Sequence, residues 1–191
     1  MSTKSQIIDT VAKLLETQGY HATGLNQIVK ESGAPRGSLY YYFPDGKEQL
    51  AAEAVADRGR GIAQHISEQL ARIEDPAESV YQLFLSLANH VESAACNGGA
   101  PLANVALEAS AKSERLREAC RVAYQHMQQV VEQKLLTADY PPERAKRLST
   151  TIVAAIDGGI ILSRAEKSAE PLRQVAKEIK VLLECAANSE S

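Results

Sequence analysis

The chain has 191 residues, 45% hydrophobic and 24% charged, with a formal net charge of −3 at pH 7. Those proportions suit a globular protein of one or two domains, and they exclude a disordered chain or one that grips nucleic acid by bulk positive charge. No apolar run approaches the roughly 20 residues that a bilayer-spanning helix needs, and the N-terminus lacks a signal-peptide apolar core, so a cytoplasmic protein with no membrane partner is expected.

With no Trp and only two Phe, the core must be built from Ala, Leu, Ile and Val. Helix one is expected over 5–18, where Ile8, Val11, Ala12 and Leu15 form one stripe. Gly19 should end it in a left-handed conformation, and Thr23 should cap the next helix. That second helix carries Leu25, Ile28 and Val29 at helical spacing. Gly33-Ala34-Pro35 breaks it, and a third short helix follows over 36–43 with Leu39 and Phe43 directed inward. Two short helices joined by a tight turn are the outline of a helix-turn-helix, whose second helix enters the DNA major groove.

Pro44-Asp45-Gly46 is a turn, and Lys47 opens a long fourth helix reaching to about residue 73. Gly59 and Gly61, unfavourable inside a helix, are read as close packing points. Asp75-Pro76-Ala77-Glu78 is a strong start signal for helix five. Residues 96–101 read as a loop, 102–111 as a short apolar helix, and 113–136 as helix seven. Pro141-Pro142 opens helix eight to about 165, and Pro171 opens helix nine. No strand pattern appears, so the expected fold is all-α with about nine helices. A three-helix head over 1–46, holding the helix-turn-helix, precedes a helical body over 47–191.

Two motifs carry a family resemblance. One is Gly19-Tyr-His-Ala-Thr23-Gly-Leu-Asn-Gln-Ile28. The other is Ser32-Gly33-Ala-Pro-Arg-Gly37-Ser-Leu39-Tyr40-Tyr-Tyr-Phe43-Pro, followed by Lys47-Glu48-Gln-Leu50. Over roughly residues 5–53 the chain resembles the tetracycline-repressor (TetR) family of bacterial transcriptional regulators. Asn97-Gly98-Gly99-Ala100-Pro101-Leu102-Ala103-Asn104 is similar to a motif of the lincomycin-resistance-repressor-like subgroup, which usually has a second cysteine where Ala100 stands here. The resemblance implies a DNA-binding domain over 1–46, an effector-binding and dimerisation domain over 47–191, and a homodimer that reads a palindromic operator in double-stranded DNA. It also implies a small-molecule effector, planar aromatic compounds being known for the subgroup, and repression as the default outcome.

Residues 1–50 hold five basic and five acidic side chains, so any attraction for DNA must come from placement. Small Gly37 and Ser38 let the third helix approach bases. Arg36 can grip a guanine or a phosphate, and Tyr40, Tyr41 and Tyr42 cannot all be buried on successive helical positions. Thr23 and Lys47, each at a helix start, suit phosphates. Candidate effector-binding residues are Tyr81, Phe84, Leu85, Leu102, Val105, Tyr124 and Met127, with Asn104, Glu108 and Asp157 as polar orienters. A buried carboxylate without a partner is expensive, so Glu108 must be exposed, paired or awaiting a ligand. Gly158 and Gly159, with Ile152, Ile156, Ile160, Ile179 and Leu183, are read as a four-helix dimer interface, the alternative being packing within one subunit.

Cys96, Cys120 and Cys185 show neither disulfide nor metal spacing, and only Cys96 is a candidate for redox chemistry. His21, His65, His90 and His126 are scattered, so no metal, cofactor or enzymatic activity is expected. The rival reading is an architectural DNA-binding protein without an effector.

Overall fold

A computed structural model describes residues 2–94, 101–109 and 111–188. Among them the chain forms nine helices and no strand: α1 Thr3–Ala22, α2 Leu25–Ser32, α3 Arg36–Tyr42, α4 Lys47–Leu70, α5 Pro76–Ser93, α6 Pro101–Ala109, α7 Glu114–Leu136, α8 Pro142–Glu166 and α9 Glu170–Asn188. The expected fold class holds. Cys96 and most of the subgroup-like loop motif lie outside the described residues.

Local chemistry sets the helix ends. The Ser2 hydroxyl accepts a hydrogen bond from Ser5 N and opens α1. Asp75 Oδ1 accepts from Glu78 N at 2.6 Å ahead of Pro76, completing the predicted start of α5. Gly19 does not end α1 as expected. It kinks the helix at φ 80°, ψ 178°, and Tyr20, His21 and Ala22 continue beyond it. Thr23 is not the cap of α2 either; Gly24 takes that position without a side-chain bond.

The residues group into two compact units, Met1–Gly61 with Gly99–Tyr124, and Ile62–Gly98 with Gln125–Ser191. The first packs α2, α3 and α6 against α1, around Ile7, Val11, Leu15, Ile28, Leu39 and Phe43. It thus holds α6 and parts of α4 and α7 as well as the 46-residue head. Gly59 has the predicted packing role, since a Cβ there would lie 2.4 Å from that of Ala123. Gly61 does not: it is exposed, with nothing within 4 Å of an added Cβ. Cys120 is buried in this unit, and burial raises its thiol pKa to about 11, which keeps it protonated and unreactive.

In the second unit α9 lies against α5 and α8. Phe84, Leu148, Ile152, Ile156, Leu172, Ile179 and Leu183 are all buried there, and the Tyr140 hydroxyl donates to Leu183 O at 2.9 Å. Helix α8 carries an 18-residue window of mean hydropathy 1.3, long and apolar enough to cross a bilayer by composition alone. That corrects the reading that no segment approaches such a span. Only 39% of the window is buried within this chain. Its inward face is occupied by α9, as in the core helix of a globular domain.

Candidate nucleic-acid interface

The turn between α2 and α3 follows from its residues. Gly33 closes α2 in the left-handed region at φ 64°. The Ser32 hydroxyl accepts from Ala34 N at 3.3 Å, fixing the next peptide. Pro35 then sets the backbone for α3. Leu39 and Phe43, 1% and 0% exposed, anchor α3 to the core. That orientation turns Arg36, Gly37, Tyr40 and Tyr41 outward, with Ser38 and Tyr42 half-buried beside them. The Arg36 guanidinium stands 5.9 Å from the centre of the Tyr40 ring, one turn on, and the Tyr41 and Tyr42 rings meet edge to face at 5.1 Å.

Charge placement resolves the neutral balance of the head. Glu16 is met by Arg58 at 3.4 Å and Asp45 by Arg115 at 2.8 Å, so cations from α4 and α7 offset head carboxylates. Among the described residues Arg36 has no ion-pair partner, and it stands exposed at the start of α3. Gly37 is exposed, and an added Cβ would meet nothing within 4 Å. The fold has no internal use for glycine there, where alanine would be more favourable by about 1 kcal/mol. Gly37→Ala is therefore expected to raise the melting temperature slightly while weakening operator binding at least tenfold. Thermal denaturation and a DNA titration of the same sample check both halves.

Thr23 and Lys47 lie differently from the α3 residues. Thr23 is 1% exposed, and its hydroxyl donates to Gly19 O at 2.7 Å. The side chain is thereby committed inside the head. Lys47 Nζ donates to His21 O at 3.4 Å and sits 4.3 Å from the centre of the Tyr20 ring. Burial lowers the pKa of its ammonium, opposed by the charge of Glu108.

The candidate effector residues divide between the two units. In the first, Leu102 and Val105 are buried, Tyr124 is half-buried, and Asn104 Nδ2 donates to Glu16 O at 3.3 Å. Glu108 is paired, its Oε2 accepting from His21 N at 3.1 Å. In the second, Phe84 and Met127 are buried, and Leu85, Asp157 and Tyr81 are half-buried, Tyr81 beneath Lys180 Nζ at 5.2 Å. Two grooves of about 380 and 400 Å³ lie along α1 and α4, lined by residues such as Lys4, Glu53 and Arg60 or Asp9, Lys13 and Arg58, and none of the effector candidates lines either.

Of the candidate dimer residues, Ile152, Ile156, Ile179 and Leu183 are buried inside the chain. Gly159 is too, because a Cβ there would lie 2.6 Å from Leu172. Gly158 and Ile160 are half-exposed. Among the described residues of α8 and α9, the large apolar side chains facing outward are Ile161, Leu162 and Val181, at 49%, 51% and 52% exposure. None of the three is among the candidate dimer residues read from the sequence. The consecutive run Ile160-Ile161-Leu162 is too wide an apolar arc for one neighbouring helix to cover.

The family models match both halves of the chain. Residues 7–54 match "Bacterial regulatory proteins, tetR family", and residues 76–178 match "Transcriptional regulator LmrA/YxaF-like, C-terminal domain". The chain belongs to the TetR family. It is 43% identical over 180 residues to the HTH-type transcriptional regulator LmrA of Bacillus subtilis, covering 94% of this chain and 96% of that one. The fold is similar to reduced NemR from E. coli, with a TM-score of 0.82 at 19% identity over 94% of this chain and 96% of that one. It is also similar to FadR of Bacillus subtilis in complex with stearoyl-CoA, with a TM-score of 0.67 at 18% identity over 94% of this chain and 96% of that one. This TetR-family protein is accordingly a DNA-binding transcriptional regulator and not an enzyme.

Proposed function

We propose that this TetR-family regulator is a ligand-responsive repressor that binds a palindromic operator as a homodimer and is released by a small, mostly apolar or aromatic effector. The observation that carries the DNA half is α3, which turns Arg36, Gly37 and Tyr40 outward while Leu39 and Phe43 hold it to the core. Arg36 is the candidate for a base edge, and Tyr40 and Tyr41 for phosphates. The dimer half is supported by the outward apolar positions of α8 and α9, which resemble half of a four-helix interface. The effector half is supported by the FadR neighbour, a similar fold with stearoyl-CoA bound. A protein that meets chromosomal operators works in the cytoplasm.

Fluorescence anisotropy against a duplex selected from a random-sequence pool by the wild-type protein tests the reading. Arg36→Ala is expected to lose tenfold or more in affinity, the value of about one bidentate base contact. Tyr40→Phe is expected to lose less and to leave the salt dependence unchanged, because a neutral hydroxyl displaces no counterions. Binding that is weak, indifferent to sequence and unchanged by Arg36→Ala would sink it. Binding that stays the same across an effector library would leave the architectural alternative.

A further inference from the structure

Lys47 and Glu108 grip opposite sides of the same short stretch of backbone. Just past the Gly19 kink, the backbone groups of His21 find side-chain partners from two directions. Lys47 Nζ, at the start of α4, donates to His21 O at 3.4 Å. Glu108 Oε2, on α6, accepts from His21 N at 3.1 Å. The His21 ring closes the arrangement, with Nε2 3.2 Å from Glu108 O. Gly19 provides the room, since any Cβ there would overlap the Glu108 carboxylate at 2.0 Å. Lys47 also sits over the Tyr20 ring, so its ammonium is held by a carbonyl, an aromatic face and the nearby Glu108 charge. Next to it, Ser113 donates to Glu48, and Arg115 pairs with Asp45.

We propose that Glu108 is a positioning residue for DNA binding: its negative charge, seated beside His21, holds Lys47 against the head, and so limits the contact Lys47 makes with a DNA phosphate. This rests on the proposed role of Lys47 at the operator. A carboxylate and a phosphate compete for one ammonium. While Glu108 sits in the Gly19 recess, the lysine is turned to the protein; a charge lost there frees it for the duplex. Glu108 is then a restraint on affinity, and its removal is a gain of function, the opposite of what loss of an ordinary structural carboxylate produces.

The test is a double-mutant cycle in the anisotropy assay with the selected duplex. Glu108→Gln keeps an oxygen to accept from His21 N but removes the charge. Its affinity is expected to rise three- to tenfold, with log K falling more steeply against log salt by about 0.9 for each further phosphate neutralised. In a Lys47→Met background the same Glu108→Gln change is expected to gain nothing. Unchanged or weaker binding by Glu108→Gln overturns the proposal. So does a gain that persists without Lys47, which would mean simple repulsion between Glu108 and DNA. Wild-type protein that selects no duplex fails the underlying reading instead, before any variant is compared. A measurement on the unmutated protein needs no variant to fold: trace acetylation followed by peptide mass spectrometry. With each rate corrected to the fully neutral amine from its pH dependence, because burial lowers the Lys47 pKa, Lys47 is expected to react several-fold more slowly than exposed Lys30, and equal corrected rates overturn the hold.

Discussion

Gly19→Ala is expected to destabilise the protein by about 3 kcal/mol, read as a lower urea midpoint with an unchanged slope. Two costs add. The backbone there sits at φ 80°, ψ 178°, a region that L side chains rarely adopt. The new methyl would also lie 2.0 Å from Glu108 Oε1. The carboxylate is the end of a flexible side chain and can swing away, but only by giving up its bond from His21 N. Gly19→Ala combined with Glu108→Ala therefore separates the two costs. The steric part is relieved in the double variant, and the conformational part, about 1–2 kcal/mol, remains. A midpoint equal to wild type for Gly19→Ala alone would mean that the kink is not under strain.

Replacing Leu162 and Val181 together by glutamate is expected to convert the dimer to monomer at micromolar concentration, with operator affinity falling a hundredfold or more. Both positions are about half exposed in the single chain, so the charges do not enter its core. A charge set into the centre of an apolar interface without a partner is strongly unfavourable. Once the subunits part, the second half-site no longer benefits from the effective concentration that the first provides. Sedimentation velocity reads the assembly, and circular dichroism confirms that the helices persist. A variant that still sediments as a dimer would place the interface on other faces.

Apolar periodicity and the turn residues predicted the order of the helices and most of their ends. Asp75-Pro76 and Gly33-Ala34-Pro35 act locally, so their effects could be read from neighbouring letters. Leu39 and Phe43 were assigned inward because they recur at helical spacing, and their burial follows directly. The partner of Glu108 could not be read this way. His21 lies 87 residues away in sequence, and only the tertiary packing of α6 on α1 joins them. Thr23 shows the same limit: its residue type suits either a cap or a phosphate contact, and proximity to Gly19 O decides where its hydroxyl goes. For α8 and α9, periodicity identified which faces are apolar. It could not say which of them α5 and the neighbouring helix would cover within the chain.

Helix α3 is seven residues long and has no side-chain cap at its start. Leu39 is its one buried residue, with Phe43 just beyond its end. With the operator contacts proposed for α3, stability and address are carried by different letters of the same short word. Arg36, Gly37, Tyr40 and Tyr41 point away from the core, and exchanging such surface residues changes stability only slightly. The head is free to drift toward new operators by single substitutions without first losing its fold. A duplicated copy of this gene could acquire a separate regulon while its interior remained almost untouched.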